Sequence, residues 1–178
     1  MEIRAYCLQL LEADTLEGKL RPPPADLTDE QPGPALRIRG PIRPATLRHD
    51  PLRKVKVPPL SGMADPEQRA RIIHSLANHE LQAAELFAWA LLLFPDMPAS
   101  FRQGCVGILR EEQEHCGLYI ERLRKREVTV SPIRQINQSP RCIFYLATIS
   151  VHRIRIFHIN IDYIDTTFFV EIKLRLSQ

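Results

Sequence analysis

Two long helical patterns, residues 65–94 and 98–126, each carry a glutamate in the middle of an apolar stripe. The first stripe consists of Ile73, Leu76, Glu80, Ala84, Phe87 and Leu91, and the second of Cys105, Ile108, Leu109, Glu112, Cys116, Tyr119 and Leu123. A carboxylate buried alone costs several kcal/mol or becomes protonated. Each of these two glutamates therefore needs a cation, and this requirement constrains the fold more than any other feature.

The ends of the first pattern predict two antiparallel helices. Asp65 is a good N-cap, Pro66 suits the first helical position, and Gln68 completes a capping-box pattern. Pro95 stops the first helix near residue 94, and the second begins near Pro98. Because the connection is so short, the two helices are expected to be antiparallel neighbours in a hairpin.

The register of that hairpin predicts a metal site. Glu80 lies 16 residues before Asp96 and Glu112 lies 16 residues after it, so both fall at about the same height. His115 is one turn beyond Glu112 on the same face. We therefore expect Glu80, Glu112 and His115 to meet. Two carboxylates and an imidazole suit iron or manganese, and less specifically zinc.

Three neighbouring residues are weaker candidates for supporting the metal ligands. Glu85 is turned away from the first glutamate, and a salt bridge is the favoured interpretation. His79 points about 100° away from the ligand stripe. Tyr119 is a candidate hydrogen-bond donor to the ligand histidine, with core packing an equal alternative. His74 and Asn78 are expected to share a second polar face with Glu85.

The chain before the hairpin divides into a helical segment, residues 1–21, and a strap, residues 22–64. The strap holds ten prolines between residues 22 and 59, so it is expected to be extended, and Trp89 is expected to pack beneath it. Its seven basic residues suggest either a phosphate-binding arm or a surface that neutralises acidic helix faces. The absence of aromatic residues from 22 to 86 makes nucleic-acid binding the less favoured interpretation.

The composition predicts a cytoplasmic globular protein. Charged residues interrupt every apolar run before it reaches the ~18 residues of a membrane span. No apolar segment with a cleavage site follows Met-Glu-Ile-Arg, so we do not expect a secretory signal. The four cysteines, Cys7, Cys105, Cys116 and Cys142, form no CxxC pair. They are predicted to be free, buried thiols of a reducing compartment.

The hairpin resembles the first half of a ferritin-like di-iron carboxylate bundle, in which two helices each give a Glu and two others each give Glu-x-x-His. More closely, the chain is similar to a bacterial family of unknown function within the ferritin-like superfamily, itself distantly similar to di-iron hydroxylases that modify tRNA. The resemblance covers about residues 1–124 and is carried by residues 16–24, 61–66, 77–89 and 111–115. It implies a mainly α fold, the hairpin of residues 65–127 forming half of a four-helix bundle, and a di-iron or di-manganese site.

The last segment, residues 128–178, departs from that resemblance. It holds ten isoleucines, one alanine and no glycine, and it contains no second Glu-x-x-His. We expect a divergent tail that is β-prone or disordered, and we favour an aberrant, truncated terminus over a selected extension.

Three functions are consistent with this sequence. A homodimer could complete the metal site and support an oxygen-activating oxidoreductase or an iron-storage protein. Alternatively, the chain is a non-catalytic interaction protein or an inactive truncated family member.

Overall fold

The predicted hairpin is the centre of the structure. A computed structural model describes residues 1–43 and 57–125, and this part is mainly helical. Its helices are α1, Ile3–Glu12; α2, Leu16–Lys19; α3, Pro66–Leu93; and α4, Ala99–Arg124. The mainly α fold class is thus confirmed. The predictions for the tail, and for the strap between residues 44 and 56, lie outside the described residues.

Local signals set the start of α3. The Asp65 side chain accepts a hydrogen bond from the backbone N–H of Gln68 at 2.7 Å, and Pro66 occupies the first turn. A 3-10 helix, Leu60–Ala64, leads into this cap. Extended chain was predicted for the proline-bearing residues 22–59, and this helical turn begins directly after them.

Arg102 holds the turn between α3 and α4 together. Its guanidinium donates to the carbonyl oxygens of Leu91 at 2.9 Å and Phe94 at 3.1 Å, which lie at the end of α3. It also forms an ion pair with Asp29 of the strap, with Nε 2.7 Å from the carboxylate. The last carbonyls of a helix have no partner within the helix, so this buried side chain both caps α3 and joins it to α4.

The N-terminal helix completes the hydrophobic core. The buried face of α1 consists of Ile3, Tyr6, Cys7, Leu10 and Leu11, which pack with apolar residues of α3 and α4. Thr15 then caps α2 by accepting a hydrogen bond from the N–H of Gly18 at 3.1 Å. The N-terminal segment is therefore part of the same core as the hairpin.

The described part of the strap runs along α3. The N–H of Leu36 donates to the carbonyl of Leu92 at 2.9 Å, and the Trp89 indole donates to the carbonyl of Ile38 at 3.1 Å. Farther along, the N–H of Ile42 donates to Leu11 of α1 at 2.8 Å. These bonds fix the strap against the helices and place Trp89 beneath it.

Within the described residues, no helix has both the length and the apolar character that a membrane span requires.

Candidate metal centre

The structure brings the three predicted metal ligands together. Glu80 of α3 and Glu112 and His115 of α4 each offer one donor atom, and these atoms all lie within 4.8 Å of one another. The two helices pack along their lengths, and the short turn sets the register that places these positions opposite each other. We refer to Glu80, Glu112 and His115 as the ligand cluster.

The ligand cluster extends from the core to the surface. Glu112 is only 2% exposed, whereas the His115 side chain is 36% exposed. The Nδ1 atom of His115 lies 3.4 Å from a carboxylate oxygen of Glu112, which is at the outer limit of a hydrogen bond. The cluster thus has one buried carboxylate, one half-buried carboxylate and an imidazole that solvent can reach.

The donor atoms of the ligand cluster suit a divalent transition metal. Bonds from a metal to carboxylate oxygen or imidazole nitrogen are about 2.0–2.2 Å long, so donors to one ion lie up to roughly 4.4 Å apart. Small side-chain movements would bring the observed group within that limit. Two carboxylates with one imidazole form a ligand set that fits iron or manganese.

Glu85 belongs to a different polar group, which we call the ion network: Glu85 with Lys19 and Arg43. The Nζ atom of Lys19 lies 3.1 Å from one oxygen of Glu85, and the Arg43 guanidinium contacts both oxygens, its Nε atom at 3.2 and 3.0 Å. Arg43 also donates to the side-chain oxygen of Asn78 at 3.2 Å. Glu85 is therefore part of a salt bridge, the interpretation favoured from its helical position.

The other two support candidates lie beside the ligand cluster. His79 is half-buried; burial lowers the pKa of its imidazole, while the negative charge of Glu80 opposes that shift. Tyr119 packs against an apolar group formed by Ala77, Leu81, Cys116 and Ile120. The contacts of Tyr119 correspond to the core-packing alternative.

Cys116 lies close to both polar groups, whereas Cys7 and Cys105 lie near Arg102. The Cys116 thiol donates to the carbonyl of Ala77 at 3.2 Å. Burial raises the pKa values of Cys7, Cys105 and Cys116 to about 12. A thiol with such a pKa is protonated at neutral pH and is a poor metal ligand. These three cysteines are free and buried, whereas Cys142 lies outside the described residues.

Sequence reasoning missed three buried polar residues: Lys19, Arg102 and Gln113. Gln113 donates to the carbonyls of Lys19 at 2.7 Å and Arg21 at 2.9 Å, and accepts from the Tyr6 hydroxyl at 3.0 Å. Because Gln113 is polar and is flanked by Glu112 and Glu114, its residue type gave no indication that it is buried and hydrogen-bonded. Only the periodicity of α4, which turns Gln113 away from solvent, could have indicated it.

The fold and site define a mainly helical protein that carries a group of two carboxylates and one histidine inside a helical hairpin. The profile of a family described as "Protein of unknown function (DUF455)" matches residues 6–129 of the chain. The chain belongs to this family. Neither a curated protein nor a solved structure matches it significantly.

Proposed function

We propose that the protein binds iron or manganese at the ligand cluster and is a ferritin-like carboxylate protein of the di-metal class. The proximity of the three donor atoms, within 4.8 Å, is the observation that carries this proposal. Two carboxylates placed side by side repel each other, and a divalent cation would neutralise both. Centres of this class, when occupied, support oxygen-dependent oxidation or hydroxylation, or oxidation and storage of iron.

In this proposal a homodimer completes the centre. One described hairpin supplies two carboxylates and one imidazole, whereas a ferritin-like di-metal site uses four carboxylates and two imidazoles. A twofold axis beside the ligand clusters would double the set of donors to that number. The proposal therefore predicts two chains and two metal ions for each complete centre.

The first experiment measures metal binding and mass together. The full chain, stripped of metal with a chelator, is titrated with Co²⁺, whose visible spectrum reports the ligands, and its mass is measured before and after loading with Fe²⁺ or Mn²⁺. We expect about one ion per chain, as two symmetric half-sites require, and a dimer in the loaded state. A folded protein that stays metal-free and monomeric after iron loading would contradict the proposal.

Two glutamates of the same helix provide a matched pair of variants. Glu112→Gln removes a ligand carboxylate that is buried, whereas Glu114→Gln removes an exposed carboxylate that pairs with Arg110 at 3.3 Å. We expect the first variant to lose Co²⁺ binding and the second to retain it. Equal binding by the two variants would exclude the ligand cluster as the site.

A further inference from the structure

Lys19, at the end of α2, contacts α3 through its side chain. The residue is 0% exposed, and its Nζ atom donates to Glu85 at 3.1 Å and to the carbonyl of Leu11 at 3.0 Å. Burying an ammonium group is costly unless its charge and its hydrogen bonds are satisfied. The two oxygen partners meet that requirement, so the position of Lys19 is fixed relative to α3.

The main chain of the same residue contacts α4. Its carbonyl oxygen accepts a hydrogen bond from Gln113 at 2.7 Å, and the carbonyl of Arg21 accepts a second one at 2.9 Å. Gln113 directly follows the ligand Glu112 in the sequence. A single short segment therefore holds both helices of the hairpin, α3 through a side chain and α4 through main-chain carbonyls.

These contacts lie close to the ligand cluster along both helices. Glu85 is five residues beyond Glu80, which is about 7.5 Å along a helix axis at 1.5 Å per residue. Gln113 and Glu112 are adjacent on α4. Because a close-packed interior transmits strain to adjacent side chains, we expect a change in either contact to shift the ligand beside it.

We propose that Lys19 is a positioning residue for the candidate metal centre, holding α3 and α4 at the separation at which Glu80 and Glu112 share one ion. This inference rests on the proposed metal binding. Metal sites tolerate errors in ligand distance of only about 0.2 Å, so small shifts between the helices reduce affinity. Lys19 would act through Glu85 and Gln113, without contacting the ion.

Lys19→Met tests the side-chain contact. It keeps an unbranched side chain, one atom shorter, and the main-chain carbonyl but removes the charge, so α3 loses its link to α2. We expect the Kd for Co²⁺ to rise by about tenfold or more, as is typical when a supporting residue of a metal site is changed. The visible spectrum of the remaining complex should also change, because the ligand geometry changes. Lys19→Arg, which restores a cation, should recover most of the affinity.

Two control variants separate positioning from general loss of stability. Arg102→Met breaks a buried ion pair at the turn end of the hairpin, ten residues before Glu112. Lys125→Met makes the same substitution at an exposed lysine that pairs with Glu121 at 2.6 Å. We expect both to bind Co²⁺ within about twofold of the wild type, although Arg102→Met lowers the melting temperature. Unchanged affinity in folded Lys19→Met, or an equal loss in Arg102→Met, would overturn the inference.

Hydrogen exchange of the metal-free protein tests the contact independently of metal binding. Lys19→Met should speed amide exchange of α3 near residues 78–85, where the side-chain contact is lost. It should also speed exchange of α4 near residues 109–116, because this part of α4 packs against that part of α3. Faster exchange confined to residues 16–21 would overturn the inference. A wild-type protein that binds no Co²⁺ would contradict the proposed metal binding. In that case the exchange pattern would still show whether Lys19 holds α3 and α4 together.

Gln113→Met tests the contact between α4 and the main-chain carbonyls of residues 19 and 21. It also replaces Lys19→Met as the test variant if that protein does not fold. It removes the side-chain hydrogen bonds that join α4 to residues 19 and 21. The same loss of Co²⁺ affinity and the same exchange pattern are expected. Wild-type affinity in this variant would show that the segment does not set the ligand separation.

Discussion

Two glutamates of α3, five residues apart, belong to different polar groups. Glu85 is buried between the cations Lys19 and Arg43, which contact both of its oxygens. Glu80 instead shares its cluster with a second carboxylate, Glu112, and an imidazole. The ion network sets one carboxylate between two cations, whereas the ligand cluster sets two carboxylates beside an imidazole. This difference teaches that a buried carboxylate is informative about function only once its counter-charge has been located.

The largest expected effect comes from Glu85→Gln. The substitution leaves two cationic side chains, one of them fully buried, without their carboxylate. Removing one partner of a buried ion pair typically costs about 3–5 kcal/mol of unfolding free energy. Urea denaturation in the presence of a chelator measures this loss.

A surface variant of the same helix is the control for this experiment. Glu67 pairs with Arg71, and both side chains are exposed. Glu67→Gln should change the unfolding free energy by less than about 1 kcal/mol, as is usual for exposed pairs. A similarly small change in Glu85→Gln would show that the ion network contributes little to the fold, and the contrast between the two glutamates would disappear.

Glu112→Gln should lower the stability of the protein mainly when metal is present, whereas Glu85→Gln should do so without metal. In the presence of a chelator, we expect Glu112→Gln to lower the unfolding free energy by less than Glu85→Gln does, because it also removes one of two neighbouring negative charges. With metal at 100 times the Kd, the wild type should gain about 2.7 kcal/mol and the variant nothing, since an ion that binds only the folded state stabilises it. Melting curves with and without Mn²⁺ measure this difference. An equal gain in both proteins would place the ion elsewhere.

Local sequence signals were sufficient to predict the hairpin. Asp65 and Pro66 mark the start of α3, and the short proline turn requires α3 and α4 to be neighbours. Counting from that turn placed Glu80 opposite Glu112, where the structure also has them. This part could be predicted because helical periodicity and a short loop leave little freedom in the register.

The ion network and the Arg102 cap could not be predicted in the same way. Lys19 and Arg43 are remote from Glu85 in the sequence, and their burial depends on how α2 and the strap lie against α3. Neither periodicity nor composition encodes such long-range pairing. A basic strap was visible in the sequence, but the specific partner of Arg43 was not.

The side of α3 that carries Glu85 provides a further, smaller test of the contrast between the ion network and the ligand cluster. His74 precedes Asn78 by one turn and lies on the side of α3 that carries Glu85. It is buried, and its Nε2 atom has no hydrogen-bond partner among residues 1–43 and 57–125. Burial lowers the pKa of His74 below its ordinary value of 6.5. A proton there would add a cation to the side that already holds Lys19 and Arg43.

This lowered pKa predicts that acid weakens the metal-free protein. Below about pH 6.5 the unfolded chain takes up a proton on His74 that the folded chain resists, so stability falls as the pH falls. The contribution of one such group is at most about 1.4 kcal/mol per pH unit. His74→Leu should therefore flatten the curve of unfolding free energy between pH 7 and pH 5, roughly the range in which a neutral histidine becomes charged. Urea midpoints at several pH values in chelator measure the slope.

Parallel curves for the two proteins would mean that His74 takes up its proton equally in the folded and unfolded states. The side of α3 that holds Lys19 and Arg43 would then accept a third cation without loss of stability.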